Sequence, residues 1–521
     1  MKVYENGLAL NTKIVSGINK LTDAVGSTLG PKGRNVIIHA KGRNPFVTKD
    51  GVTVASHVEL EDPFENAGAQ IIKQVSAVTA TEAGDGTTTA TILARAIVND
   101  AQKYIIAGAS PVELKRGMDK AVEKIVQKIS ELAKPVSSLE DVEHIATISA
   151  NGDKKIGKLI SIAVDKVGKD GAITIEEGKS VDTTIDVVEG FQIDGGYLSP
   201  QFITDERRSA MKFENALVLV TDYNIDSLDD LLPVLEVVAR EGKPFVVVSE
   251  NVEGQALAAL ILNTLKGTMR IGVVKAPRYG EERKNILKDL AVSIGATFIS
   301  LENGMLLKDT KRHHLGFVKN IESLKNWSIF VDGKGDFKEV EKRIDILKNQ
   351  IAQTNDLPEC EKIQERITRL AAGIAIIKVG GTTEVDMTER KHRIEDALEA
   401  VKSAQQEGVL PGGGIGLLKC LDGLEVEVDN NDQKFGVQII QNACLEPIRK
   451  LSENCGEKSD IIMFNLKNKT NEEGYNFATG QYVNMYDEGI IDPAKVTRCA
   501  LQNAVSAAST LLTTSYAIID K

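Results

Sequence analysis

The segment Gly84–Thr89 (GDGTTT) contains the residue types of a phosphate site with a metal ligand. Its glycines let the backbone turn tightly, and its threonines begin the helix that the apolar-rich run 90–94 predicts. A helix N-terminus offers free N–H groups to an anion, and Asp85 supplies the oxygen donor that a phosphate-bound Mg²⁺ needs. An ordinary capped helix after a glycine turn would look the same, so other residues must decide.

Three further glycine turns share this chemistry: 28–33 (TLGPKG), 49–51 (KDG) and 412–414 (GGG). Each alone would be a structural turn. Four in one chain, two at helix starts and two carrying an aspartate, favour a nucleotide site. No G-x-x-x-x-G-K-[ST] motif occurs and the GGG turn does not extend to G-x-G-x-x-G, so a small-molecule kinase or dehydrogenase is the weaker alternative.

Composition describes an ordinary globular protein. Hydrophobic residues make up 42% of the 521 residues and charged residues 26%, while aromatic residues reach only 4%, so the core must be aliphatic. The length predicts about three domains. The net charge of −11, from 63 basic and 74 acidic side chains, argues against nucleic-acid binding.

Cysteine usage and the N-terminus indicate the compartment. The five cysteines are odd in number and lack C-x-x-C spacing, which disfavours a disulfide or zinc framework. The start MKVYEN carries no signal or transit pattern, and no apolar run reaches membrane-spanning length. We therefore expect a cytoplasmic protein without a membrane partner.

Hydrophobic periodicity divides the chain into helical, mixed, α/β, mixed and helical stretches. The first, about 8–132, is interrupted near 34–55, where 35–39 and 52–55 read as the two strands of a hairpin. This symmetric order predicts a domain inserted within a domain.

The middle of the chain supplies the predicted strands. A strand at 172–175 follows the turn 169–171, and strands at 216–220 and 245–248 alternate with amphipathic helices. We also expect an antiparallel helix pair within 335–372, a strand at 374–379 and a helix over 387–407, with mostly helical character beyond it.

Six motifs in order resemble the group I chaperonins, the bacterial GroEL class of the 60 kDa heat-shock proteins: TLGPKGRN (28–35), KDGVTV (49–54), GDGTTTAT (84–91), GYLSP (196–200), RIEDAL (393–398) and DPAKVTR (492–498). The match runs from near Asn11 to near Ala517. It implies a multidomain α+β fold with a mostly helical equatorial domain, a small α/β intermediate hinge domain and an inserted α/β apical domain. The implied bounds are equatorial 1–132 and 407–521, intermediate 133–188 and 375–406, and apical 189–374.

The resemblance implies an ATPase that hydrolyses ATP with Mg²⁺, and it leaves K⁺ open as a further ion. It assigns Asp85 to the metal and Asp50 and Asp396 to the attacking water. The implied nucleotide-binding residues are Thr28, Leu29, Gly30, Pro31, Lys49, Asp85, Gly86, Thr87, Thr88, Thr89, Gly413, Asn476, Ala478 and Asp492.

Asp396 carries two interpretations. Ile394, Ala397, Leu398 and Val401 form the apolar stripe of its helix, so periodicity alone predicts a solvated carboxylate on the opposite face. The resemblance implies instead that it waits in water until ATP binding brings the intermediate domain onto the equatorial site.

The resemblance also implies client binding on apical helices, in a ring that is a heptamer with one or two layers. The implied partners are unfolded proteins, further copies of this chain and a co-chaperonin whose requirement stays open. Many leucines of such helices would be core. The implied groove residues are Tyr197, Phe202, Leu232, Leu235, Leu257, Ile261 and Leu262. A passive holdase that has lost turnover is the competing hypothesis.

Three positions depart from the family pattern at functional surfaces. Gly195 stands where an arginine commonly pairs with the acid matched by Glu384, which would remove a salt bridge between subunits. Gln201 replaces an aromatic residue of the client groove. Phe477 stands where a small residue is usual beside the adenine, so the base contacts would be rearranged.

Two departures concern the assembly. Lys458 replaces an acid at the expected ring–ring contact, near Arg449, and like charges there would weaken a double ring. The sequence stops at Lys521 without the flexible Gly-Gly-Met tail. These differences lead to the hypothesis of altered or absent contact between rings, as in a divergent or virus-borne chaperonin.

Overall fold

The computed structural model describes residues 2–39, 45–168, 173–178, 180–353, 357–371, 373–467 and 469–520. In chain order its α-helices are α1 (Gly7–Gly26), α2 (Gly51–His57), α3 (Pro63–Ala83), α4 (Thr87–Ile106), α5 (Pro111–Leu132), α6 (Leu139–Ser149), α7 (Lys154–Val167), α8 (Leu232–Glu241), α9 (Gly254–Leu265), α10 (Gly280–Ile294), α11 (Phe337–Gln353), α12 (Leu357–Ala371), α13 (Glu384–Glu407), α14 (Ile415–Cys420), α15 (Asn431–Cys444), α16 (Glu446–Cys455), α17 (Ser459–Leu466) and α18 (Ala494–Leu512). Among these described residues, none of the helices combines the length and apolar character needed to cross a membrane.

The strands are β1 (Lys2–Asn6), β2 (Val36–Ile38), β3 (Phe46–Thr48), β4 (Ile173–Glu177), β5 (Thr184–Ile193), β6 (Met211–Thr221), β7 (Asn224–Ile225), β8 (Phe245–Ser249), β9 (Asn251–Val252), β10 (Ile271–Lys275), β11 (Phe298–Ile299), β12 (Gly316–Ser323), β13 (Ser328–Gly333), β14 (Gly373–Val379), β15 (Val409–Pro411), β16 (Glu473–Asn476), β17 (Gln481–Asn484), β18 (Ile491–Pro493) and β19 (Tyr516–Asp520). Short 3₁₀ turns cover Pro200–Phe202, Leu301–Asn303, Leu307–Asp309 and Arg312–His314.

The chain forms two compact units. The first unit comprises residues 1–162, 179–182 and 379–521, and the second unit comprises 163–178 and 183–378. The three named domains and their bounds remain predictions.

The first unit is a helical assembly. Helix α5 packs on α15, α1 on α3, and α18 on both α3 and α4. Their facing positions are aliphatic or alanine, as in Leu93, Ile97 and Ala504, which are fully buried. Because such small and branched side chains allow close helix approach, this core forms with few aromatic rings, as the composition predicts.

The second unit is built on a nine-stranded mixed sheet in the order β10-β8-β6-β12-β13-β5-β14-β4, with β11 also paired to β6. Strands β6, β8 and β10 run parallel, while β12, β13, β5 and β14 add antiparallel pairs. The crossovers β6-α8-β8 and β8-α9-β10 advance in one direction across the sheet. Since such crossovers are right-handed in nearly all proteins, α8 and α9 belong to the same face of the sheet.

Most predicted elements are confirmed, including the strands at 216–220, 245–248 and 374–379, the helix pair α11 and α12, and the long helix α13. The predicted strand at 172–175 is confirmed from Ile173 onward as β4. The turn 169–171 and Ala172 lie outside the described residues.

The hairpin prediction is wrong in its second strand. Strand β2 pairs with β3, not with 52–55, which belongs to α2. The Asp50 side chain accepts hydrogen bonds from the backbone N–H groups of Val52 and Thr53 and so starts this helix. The cap outweighs the strand preference of the β-branched residues that follow.

Candidate functional site

A cavity of about 450 Å³ opens in the first unit. Its walls come from the turn after α1, the starts of α2 and α4, the end of α6, one face of α13, and the segments around α14, β16 and β18. All the residues predicted for nucleotide binding and catalysis line it: Thr28, Leu29, Gly30, Pro31, Lys49, Asp50, Asp85, Gly86, Thr87, Thr88, Thr89, Asp396, Gly413, Asn476, Ala478 and Asp492.

The start of α4 offers an anion site to this cavity. Gly86 is its N-cap in the left-handed region, with φ of 82°, and no side chain caps the helix. Only a residue without a Cβ adopts this angle readily. The first-turn N–H groups of Thr87, Thr88 and Thr89 therefore remain available to a phosphate at the positive end of the helix dipole.

Asp85 is held in place on both oxygens. Its Oδ1 accepts from the Gly86 N–H at 2.6 Å and its Oδ2 accepts from the Ser149 hydroxyl at 2.8 Å. Removal from bulk water raises the pKa of Asp85, and the charge of Asp50 adds to this rise, while the two hydrogen bonds oppose it. A bound cation would relieve both unfavourable contributions.

Asp50 and Lys49 bring the start of α2 to the same place. Besides capping α2, Asp50 faces the cavity, and the Lys49 Nζ donates to the Gly30 carbonyl at 3.1 Å. Burial lowers the pKa of Lys49, with Arg393 as a second cause. The starts of α2 and α4 touch, since a Cβ built on Gly51 would lie 2.3 Å from Thr88 Oγ1.

Asp396 is half-buried and lines the cavity from α13. This placement agrees with the periodicity, which puts the carboxylate off the apolar stripe, and the catalytic role of Asp396 remains a prediction. Helix α13 packs its apolar stripe on α6 and α18, and the cavity lies beside that contact. A position next to the apolar stripe of a helix can thus face a polar cavity.

A second group of residues in the cavity wall includes Gly413, Asp492 and Asn476. Burial, and next the charge of Asp85, raise the pKa of Asp492 to about 7, although the Gly413 N–H bonds to its carboxylate. The Asn476 side-chain oxygen accepts from the N–H groups of Ala478 and Thr479 at 2.9 and 3.3 Å. It thereby shapes the turn that carries Phe477.

The structure adds wall residues that the sequence reasoning did not select. Ile145, Ile148 and Ser149 reach the cavity from α6, and Leu451 and Tyr475 reach it from α16 and β16. None belongs to a glycine turn. Among these residues, only Ser149, a polar residue at the end of a helix, could have been selected from its local sequence.

The donor set fits a magnesium-bound triphosphate. Four carboxylates (Asp50, Asp85, Asp396 and Asp492), a lysine and an uncapped helix start share one cavity. Within the described ranges, no group of three or more His, Cys, Asp or Glu side chains is arranged to hold a metal by itself. Mg²⁺ in phosphate sites is commonly held by one or two carboxylates together with phosphate oxygens, a role that Asp85 suits.

The residues predicted to bind client proteins lie in the second unit and differ in their solvent exposure. Leu232 and Leu262 are 43% and 52% exposed, while Tyr197, Leu257 and Ile261 are half-buried against the core. Phe202 and Leu235 are buried at 0% and 8% exposure, so the prediction that they line an exposed groove is wrong. Both belong to the buried apolar cluster of the second unit, because burying a large apolar side chain is favoured over exposing it.

Gly195 cannot be replaced without moving the backbone. A Cβ there would lie 2.1 Å from the Lys275 carbonyl oxygen. The missing arginine therefore reflects a close contact between two backbone segments, in addition to the lost charge. Gln201, the second departure of this unit, is exposed and bonds to the Ser199 hydroxyl.

Among the remaining positions that differ from the family pattern, Lys458 is exposed at the start of α17. Arg449 forms an ion pair with Glu446 at 2.7 Å, so its charge is partly neutralised within the chain. Phe477 lines the cavity and is 5% exposed.

These observations define a multidomain α+β protein. Its cavity has the residue types of a phosphate site but is not formed by a P-loop. The chain belongs to the TCP-1/cpn60 chaperonin family, whose sequence model matches residues 21–521. Its fold is the chaperonin fold. It is similar to the chaperonin gp146 from the bacteriophage EL 2 (Pseudomonas aeruginosa), crystallised in the presence of ATP-BeFx. In crystal form II the TM-score is 0.68 at 23% identity, covering 100% of this chain and 99% of the other. In crystal form I the TM-score is 0.63 at 23% identity, with 99% of each chain covered.

Proposed function

We propose that the protein is an ATP-dependent chaperonin, which binds unfolded proteins and promotes their folding through a cycle of ATP binding and hydrolysis. One observation carries the proposal: Asp50, Asp85 and Asp396 share a cavity with the uncapped start of α4. These aspartates are separated by up to 346 positions (396 − 50) in the sequence. Carboxylates gathered beside an anion site suit phosphoryl transfer by positioning and electrostatics.

The phosphate end would be formed by Lys49, Asp85 and the first turn of α4. The N–H groups of that turn would bind the β- and γ-phosphate oxygens, and the lysine would add a positive charge. When bound, Mg²⁺ would neutralise the charge that develops on the phosphates. Asp492 and Gly413 would contact the sugar, and the turn at Asn476–Ala478 would contact the base.

Asp50 and Asp396 would orient the attacking water and accept its proton. Asp50 is kept on the cavity wall by the N–H groups of Val52 and Thr53. Asp396 comes from another helix, α13, so water between the two carboxylates would be held from two sides. Such positioning acts on turnover more than on nucleotide affinity.

Client binding would use the α8–α9 face of the second unit, which corresponds to the proposed apical domain. Leu265, 68% exposed, extends the exposed pair Leu232 and Leu262. An apolar surface without fixed polar partners suits many unfolded chains. The same surface would accept the loop of a co-chaperonin.

The assembly would be a homo-oligomeric ring, a heptamer by the family resemblance, with weakened contact between rings. The exposed Lys458 is the charge that supports this weakening. Negative-stain images with and without ATP test it, since back-to-back rings under both conditions would contradict it. The proposed location is the cytoplasm.

A phosphate-release assay tests the activity, and the refolding yield of a denatured model enzyme, measured with and without ATP, tests the chaperone role. We expect Mg²⁺-dependent phosphate release and an ATP-dependent increase in yield. Client binding without any phosphate release would support the passive holdase instead.

A further inference from the structure

We infer that Phe477 makes base recognition in this cavity apolar and tolerant, so that the protein binds GTP with an affinity close to that for ATP. The inference rests on the proposed function, because it concerns the base end of the same nucleotide cavity. It identifies a specificity-determining residue and the substrate class, purine nucleoside triphosphates.

The position of the Phe477 ring is well determined by its packing. The ring meets Tyr475 edge to face, with centroids 5.1 Å apart at 76°. Both rings belong to a buried cluster with Ile448, Leu451 and Met485. On the cavity side, the ring atoms Cδ2 and Cε2 lie 3.7 Å from a Cβ built on Gly413, which lines the same cavity. Phe477 is thus a rigid apolar wall beside the proposed sugar contact.

Two acceptors next to this wall already have contacts within the protein. Asn476 is 9% exposed, and its side-chain oxygen accepts two backbone N–H groups. The Phe477 carbonyl faces the Cys455 Sγ at 3.7 Å. The Asn476 oxygen therefore already accepts twice and is poorly suited to the 6-amino group of adenine, while the Phe477 carbonyl has only the weak S–H contact.

The remaining donor of Asn476, its Nδ2, does not distinguish the two purines. Adenine and guanine both carry acceptors at N3 and N7, and they differ at position 6, where one has an amino group and the other a carbonyl. Discrimination by several powers of ten requires a polar partner fixed on the differing group. Stacking on an aromatic ring is tolerant of base identity.

The test measures the Kd of the full-length protein for the magnesium complexes of the non-hydrolysable analogues of ATP and GTP, by titration calorimetry. We expect the two Kd values to agree within about tenfold. Phe477→Ala should weaken both by roughly tenfold and leave their ratio unchanged, because the lost apolar wall serves either base.

Two further variants serve as controls for this measurement. Phe477→Leu keeps the bulk of the buried cluster without the aromatic face, so it should fold and give intermediate affinities for both analogues. Phe464→Ala removes an aromatic ring that is 75% exposed on α17, outside the cavity, and should change neither Kd.

The outcomes separate the two proposals. A preference for the ATP analogue above tenfold, or a loss confined to that analogue in Phe477→Ala and Phe477→Leu, overturns the inference and leaves the chaperonin ATPase intact. Unchanged affinities in both Phe477 variants overturn it as well. Failure of the unmodified protein to bind either analogue would defeat the proposed function and the inference together.

Discussion

The Ser149 hydroxyl donates to Oδ2 of Asp85 at 2.8 Å, joining the end of α6 to the turn before α4. These residues are 64 positions apart, and Ser149 belongs to none of the glycine turns. The bond orients the carboxylate that would hold the metal, in addition to the Gly86 N–H on the other oxygen. Ser149 is therefore a positioning residue in the proposed site.

Ser149→Ala should weaken the magnesium-dependent part of nucleotide binding by about tenfold, a typical effect of losing the partner of a metal ligand. Binding in the presence of a chelator should change little, because the phosphate and base contacts remain. Titration calorimetry with and without Mg²⁺ measures both quantities. Ser149→Thr keeps the hydroxyl and should restore most of the affinity, whereas equal losses in both variants would indicate a packing defect.

Asp396→Ala should leave nucleotide binding largely intact and slow turnover by about a hundredfold, because a base that positions water acts on the transition state. Calorimetry gives the first quantity and phosphate release the second. Glu131→Ala, which removes an exposed carboxylate outside the cavity, is the matched control. Loss of binding itself in Asp396→Ala would refute the assignment.

The contribution of Asp492 to the stability of the nucleotide-free protein should fall as pH rises from about 4 to about 7. The pKa of Asp492 is raised by burial to about 7, above the value near 3.9 of an unfolded aspartate. The folded state therefore binds this proton more tightly, and its stabilising effect, complete below pH 4, is lost as pH passes the folded-state pKa.

Thermal melts at pH 5 and pH 8 check this contribution. Asp492→Asn removes the ionisable group, so the decrease in Tm between the two pH values should be smaller in the variant by about 2–4 °C. Identical decreases in the two proteins would show that Asp492 does not titrate in this range.

Asp289 on α10 binds two arginines of the helix pair in the second unit. It is fully buried and accepts from Arg343 Nε on α11 and from Arg366 Nε on α12, both at 2.7 Å. Asp289→Ala leaves both cations without this partner and should destabilise the second unit by about 3–5 kcal/mol.

Hydrogen exchange of α11 and α12 measures this loss directly. Lys342→Ala breaks the exposed Lys342–Glu339 ion pair on α11 and should cost less than about 1 kcal/mol. Equal exchange rates in Asp289→Ala and the unmodified protein would contradict the clamping role.

Sequence patterns were sufficient for much of the fold, because they depend on local rules. The long helix α13 follows from its 3.6-residue apolar stripe, and β6 and β8 follow from continuous apolar runs between turns. The turn at 412–414 precedes α14 as predicted, since glycine suits the residue before a helix start in the left-handed region. The failed strand at 52–55 shows the limit, because one capping side chain decided between helix and strand.

Exposure and orientation were decided by the tertiary structure. Phe202 and Leu235 share the apolar character of Leu232 and Leu262, yet the first two are buried and the others exposed. Periodicity identifies the apolar face of a helix but not how far the neighbouring elements cover it.

The candidate site also has features that the sequence determines and features that only the tertiary structure determines. Its residue types and short spacings, such as Gly84–Thr89, are properties of the sequence, and so is the family resemblance they carry. The half-buried position of Asp396, the hydrogen bond from Ser149 to Asp85, and the Phe477 ring against Gly413 come from the packing of distant segments. Contacts over such sequence separations depend on the whole arrangement of helices and strands, so local residue preferences do not contain them.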